Sequence, residues 1–141
     1  KKQRYNVGAL KAGLRYKPKG YTLRTSTGES FISDFIVASN TRHIGSGMKI
    51  SPEALLDDGK LDVVLLTSFR RLSLIPLFFK LCKGTHLQDE KVIYQQMHTF
   101  QIKAPSPSEL NIDGEQHEFT ELNVRVLPGR IDLLHKPSAG N

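Results

Sequence analysis

The run "LDVVLLT", residues 61–67, can be accommodated in few ways. It is aliphatic and β-branched without the alternation of a strand that has one wet face, so it reads as a strand covered on both sides. Around it lie shorter segments of strand character. "YTLRTST" (residues 21–27) and "FISDFIVAS" (31–39) form a hairpin across "GES", and "HTFQIKA" (98–104), "LNI", "EFTELNVRVL" (118–127) and "RIDLLHK" (130–136) follow, the last two separated by the turn "LPGR". Many short strands with Gly and Pro turns imply a mainly β domain, a β-sandwich or open barrel. One or two short helices interrupt it. The first is expected over residues 73–83, capped by Ser73, with Pro76 in its first turn and Gly84 at its end. A second helical piece is expected over residues 89–95. Residues 1–16 have Tyr5, Ala9, Ala12 and Tyr16 near helical spacing, and read as the tail of a helix that begins elsewhere.

The 141 residues suit one domain with a core that needs no disulfide. The lone Cys82, in an apolar run, reads as a buried thiol of a reducing compartment. No signal peptide is visible, and "LSLIPLFFKLC" is too short to span a bilayer. A net charge of +6 suits an anionic partner, whether nucleotide, nucleic acid or acidic lipid, and equally suits mere solubility. The aromatics form no stacking platform, so nucleic acid is not expected as a partner.

Two acidic turns carry the candidate chemistry. In "LLDDGK", Asp57 and Asp58 sit together just before the buried strand. Adjacent carboxylates repel unless solvent, a donor or a cation compensates them. A carboxylate, turn carbonyls and waters would make a hard-cation shell, and an ordinary solvated turn is the plainer alternative. In "ELNIDGEQHEF", Asp-Gly is a strong hairpin dipeptide with Asp113 and Glu115 at its tip. By itself that carboxylate is a hairpin residue first and a catalytic base second. The five histidines show no pair at metal-ligand spacing and read as surface or satisfied side chains. No serine has the His and Asp partners of a nucleophilic triad. The amphipathic "RRLSLIPLFFKLCKG" reads mostly as packing on its own sheet, with basic ends able to meet a membrane.

The ordered series "GSGMKISPEALLDDGKLDVVLL", "R-x-x-L" at 71–74, "KGTH" at 83–86, "NIDGE" and "VRVLPGRIDLL" resembles the C-terminal domain of the diacylglycerol kinase catalytic family. That family includes bacterial soluble lipid kinases and the sphingosine and ceramide kinases, and it shares the architecture of NAD kinases. The resemblance covers residues from about Arg15 to Leu134. It implies a two-domain lipid kinase whose N-terminal half carries a "GGDGT" nucleotide loop that this chain lacks. Residues 1–19 would be the end of a helix from that nucleotide-binding domain, 20–136 the β-rich C-terminal domain and 137–141 a tail. Alone, the chain would be inactive.

The resemblance also implies roles. Glu115 would accept the proton of a lipid hydroxyl as it attacks the γ-phosphate of ATP. Asp113, Gly114 and Glu115 would lie at the nucleotide edge, and Asp57 would join the aspartates around a catalytic Mg²⁺. Asp58, with the carbonyls of Leu55 and Lys60, would hold a second, structural Mg²⁺. Where the family has a "GNGRYxGGG" motif, this chain has "ASNTRHIGSGM": Asn40 and Gly47 fit, while His43 and Ser46 depart. The implied acceptor is diacylglycerol, with sphingosine, ceramide or another lipid alcohol as alternatives, and a non-catalytic lipid- or nucleic-acid-binding module as the rival. Expected partners are ATP, a lipid at a membrane surface and the missing half, with a homodimer left open. The expected location is cytoplasmic, peripheral at the inner membrane.

Overall fold

The computed structural model describes residues 15–45, 47–68, 70 and 73–132. Their strands are β1 (Tyr21–Thr25), β2 (Ser30–Ser33), β3 (Phe35–Ser39), β4 (Leu61–Leu66), β5 (Val92–Met97), β6 (Thr99–Ile112) and β7 (Glu115–Arg125). They form two antiparallel sheets in the orders β2-β1-β6-β7 and β3-β4-β5. The expected mainly β, sandwich-like domain is what the chain forms.

Strand β4 is central in its sheet, and Asp62 through Leu66 are all buried, as its unbroken apolar character requires. Val63 and Leu65 meet Tyr21, Leu23, Phe100 and Ile102 of the other sheet in the main core. Asp62, Val64 and Leu66 face the opposite way, and the segment with buried Met48, Ile50, Ser51 and Ala54 supplies further covered apolar surface.

Two single-residue corners join the sheets. Residues 31–39 are not one strand of a hairpin: Asp34 breaks the ladder, so β2 pairs with β1 while β3 pairs with β4. The Asp34 N–H donates to Leu66 O at 2.8 Å and the Ser33 hydroxyl to the same carbonyl at 3.0 Å. Tyr16 closes the corner from outside, donating to Asp34 O at 2.9 Å and meeting Phe35 edge-on. Burial, then the neighbouring Tyr21, keeps the Tyr16 hydroxyl protonated well beyond its ordinary range. The second corner is His98, between β5 and β6, whose carbonyl accepts from Val126 N–H.

The helix, α1 (Leu74–Lys83), ends at Gly84 in the left-handed region, as expected. Ser73 precedes it without a side-chain cap, because its hydroxyl donates back to Arg70 O at 2.7 Å. None of the helix residues is buried. Cys82 is half-buried rather than enclosed. The second helical piece is a correction. A short 3₁₀ turn occupies His86–Gln88, and most of residues 89–95 belongs to β5. "VIYQQM" is rich in β-branched and aromatic side chains, and pairing of Leu65 with Ile93 and Val64 with Tyr94 against β4 decides its state.

"HTFQIKA" and "LNI" are parts of one 14-residue strand. Lys103 opposes Glu121 and Ser108 opposes Phe119, so residues 104–107 face Thr120 alone in a wide bulge. Pro105 and Pro107 fall there, where the ladder needs no N–H from them. Residues 130–132 are not in a strand; the rest of the strand expected at 130–136, and the N-terminal segment before Arg15, lie outside the described residues.

Candidate active site

Ile112 pairs directly with Glu115, so the β6–β7 connection is the two-residue turn Asp113-Gly114. Both have positive φ, 50° and 101°, the requirement of a type I′ turn that suits strand twist. The Asn111 side chain accepts from Gly114 N–H at 3.0 Å and fastens the turn from inside. Glu115 is thereby set at the tip with its side chain 84% exposed. His117, two residues along and on the same face, places Nε2 3.8 Å from the Glu115 carboxylate. Its side chain is half exposed, as the reading of a surface histidine expects; the contact with Glu115 follows from their i, i+2 spacing on a strand.

The "DDG" turn lies elsewhere. Asp58 Oδ1 accepts from Lys60 N–H at 2.9 Å, and Gly59 has a φ of 70°. Gly59 O lies 2.8 Å from His98 Nδ1, and Pro128 packs on Gly59. This fixes the turn at the Thr99/Arg125 end of the β6–β7 ladder, whereas Glu115 is at the Ile112 end. Asp57 is exposed and makes no hydrogen bond with Glu115. The domain thus holds the two acidic turns at opposite ends of one hairpin, and does not itself unite them.

The ligands that the resemblance implies here are oxygens only: the second Asp58 oxygen, left over by the bond to Lys60 N–H, and the carbonyls of Leu55 and Lys60. That composition fits a hard cation that keeps much of its water. Among the described residues no three His, Cys, Asp or Glu side chains gather.

Strand β4 leaves the turn through a buried polar pair. Asp62 is fully buried, its Oδ1 accepting from the Tyr94 hydroxyl and from Gln96 Nε2 at 3.3 Å, while Oδ2 has no partner. Burial and then the bond to Asp62 push the Tyr94 hydroxyl well above its ordinary range, so it stays a donor. His86 is also buried, with Nε2 2.8 Å from Ile50 O, and burial lowers its pKa. Neither pairing is visible in sequence, since the partners lie 32 to 36 residues apart.

The sandwich end nearer Glu115 can be traced through contacts. Phe119 stacks on Tyr21, Tyr21 pairs with Ser33, and Ser33 bonds Leu66, the last residue of β4. The chain therefore departs toward α1 from the end from which the Glu115 hairpin projects.

A family model described as the YegS C-terminal NAD kinase beta sandwich-like domain matches residues 1–135. The chain belongs to this lipid kinase family. A Mycobacterium tuberculosis protein named diacylglycerol kinase is 30% identical over 94% of the chain, and a Shewanella frigidimarina protein named "Probable lipid kinase YegS-like" is 29% identical over 95%. The chain spans 43% of the length of each. A crystal structure of a diacylglycerol kinase from Bacillus anthracis shares the fold, with a TM-score of 0.64 at 14% identity over 85% of this chain and 43% of that one. Among the described residues no helix is long and apolar enough to cross a membrane.

Proposed function

We propose that the chain is the C-terminal part of an ATP- and Mg²⁺-dependent kinase that phosphorylates diacylglycerol to phosphatidic acid, at the cytoplasmic face of a membrane. Membership in a lipid kinase family supports the reaction class, and the diacylglycerol kinase name of a 30% identical relative supports the acceptor. One observation carries the assignment of the base: Glu115 stands 84% exposed on a fixed two-residue turn, open to a substrate and to a second domain.

The acceptor hydroxyl oxygen would attack the γ-phosphorus as the bond to the leaving ADP oxygen breaks. The hydroxyl proton would pass to the Glu115 carboxylate. Asp113 and Gly114 would border the nucleotide, and Asp57 would approach the reacting phosphates only with the other half of the kinase in place. Mg²⁺, when bound, supplies charge neutralisation for the phosphates. Asp58, with the Leu55 and Lys60 carbonyls, would hold a structural Mg²⁺ that stiffens the turn.

Replacing Glu115 with Gln in the full-length enzyme is expected to lower kcat by about 10²–10⁴-fold, the usual contribution of a general base. Thermal stability should not change, because the side chain is exposed. Near-normal turnover of lipid by Glu115→Gln refutes the role. A panel of diacylglycerol, sphingosine and ceramide with labelled ATP decides the acceptor.

A further inference from the structure

We propose that helix α1 is a docking face for an anionic lipid surface; this rests on the lipid kinase reading above and names where that enzyme would meet its bilayer. None of the helix residues is buried, and Ile75 and Phe79 are exposed, Phe79 by 58%. Ile75, Phe79 and Lys83 follow one another at four-residue steps, which places them on a single stripe of the helix. Pro76 and Lys80 form the adjoining stripe, also exposed. The other side, with Leu74, Leu77, Phe78 and Leu81, is half-buried and attaches the helix to the domain.

Charge decides the occupant. The first turn carries no acidic residue and the last carries Lys80 and Lys83. Lys49 reaches the same end, since its side-chain carbons lie against Gly84, and Arg70 is exposed just ahead of the helix. Lys80 is partly compensated by Asp89, whose carboxyl it bonds at 2.7 Å and holds below the usual range. Among the described residues no carboxylate lies within ion-pair distance of Lys49 or Lys83. An apolar stripe with an exposed aromatic ring and a cationic border matches a bilayer of acidic headgroups, into which such a face sinks. A tightly packed protein interface would leave those ammonium groups to be desolvated. The chain leaves β4 toward this helix at Leu66, the strand end tied through Ser33 and Tyr21 to Phe119 of the Glu115 hairpin.

Vesicle cosedimentation without nucleotide tests the proposal, comparing phosphatidylcholine with phosphatidylcholine–phosphatidylglycerol mixtures. Binding is expected only to the anionic vesicles and should weaken with salt. Phe79→Ser is expected to reduce affinity about tenfold, and Lys49→Gln with Lys83→Gln about fivefold for each lysine. The lysine pair is exposed, so it serves as the test should Phe79→Ser impair folding. Equal binding to neutral and anionic vesicles, or unchanged affinity in the lysine double variant, overturns the docking face. So does a Phe79→Ser that dissociates a dimer in sedimentation velocity while vesicle affinity is unchanged, since the face would then seat a second copy. Full-length enzyme assayed on a short-chain diacylglycerol dispersed in water checks the kinase reading separately. Failure there, with Phe79-dependent vesicle binding intact, removes the kinase reading and leaves the docking face standing.

Discussion

Tyr94→Phe removes one oxygen from the domain and should cost far more stability than its size suggests. The hydroxyl donates to Asp62 Oδ1, and Asp62 is wholly inaccessible with Oδ2 already unpartnered. Without Tyr94 the carboxyl keeps only the Gln96 amide at 3.3 Å. Leaving a buried polar group in that state costs about 2 kcal/mol. With about 2.1 cal/mol/K per residue for the unfolding entropy, 141 residues give about 0.3 kcal/mol/K, so the melting temperature should fall by about 7 °C. Circular dichroism melting of the chain measures it. The decisive comparison is the double variant Asp62→Val with Tyr94→Phe, because removing both polar partners removes the penalty. It should melt above Tyr94→Phe alone. Additive losses, or a Tyr94→Phe shift below about 2 °C, would refute the reasoning. The pair matters for the proposed function because Asp62 is the second residue of β4, three positions after Gly59 of the "DDG" turn, and so anchors one side of the proposed cation seat.

Two further outcomes are expected. Mg²⁺ should raise the melting temperature of the chain, and Asp58→Ala should abolish that increment while lowering the metal-free melting temperature by about 3 °C, the equivalent of about 1 kcal/mol for the lost bond to Lys60 N–H; an unchanged Mg²⁺ response in the variant would remove Asp58 from the site. His86 has a folded-state pKa below that of the unfolded chain, so the unfolded state binds more protons between the two values. The stability it contributes is therefore complete above about pH 6.5 and is lost as pH falls through the lowered folded pKa; in denaturant titrations the stability difference between parent and His86→Gln should be constant from about pH 7 to 8 and shift against the parent below about pH 6.5.

What could be read beforehand follows the range of the interactions. Strand β4 was legible because its composition admits one environment, and the Asp113-Gly114 turn because its dipeptide meets a local φ requirement. The switch of sheets at Asp34 was not, since "FISDFIVAS" keeps a strand pattern while changing partners. Strand β5 was mistaken for helix because its identity comes from β4, some 30 residues away in sequence. In the candidate site the acidic turns stood out as short motifs. Their placement at opposite ends of one ladder, and the buried Asp62–Tyr94 contact, depend on register that no short window contains.

The wide bulge makes the β6–β7 ribbon a cantilever. Strand β1 pairs with β6 only as far as Lys103, and beyond residues 104–107, among the described residues, β6 and β7 have only each other as ladder partners in the arm that carries Glu115. From Ser108 to Ile112 that arm is about 14 Å long at the usual rise per residue. A rotation of about 10° at its root therefore carries the tip about 2 Å, which for the proposed base is the difference between bonding a hydroxyl and missing it. Pro105 and Pro107 stand at that root with their φ angles fixed. The stiffness of "APSP", far along the strand from the proposed base, thus limits how far the arm can swing.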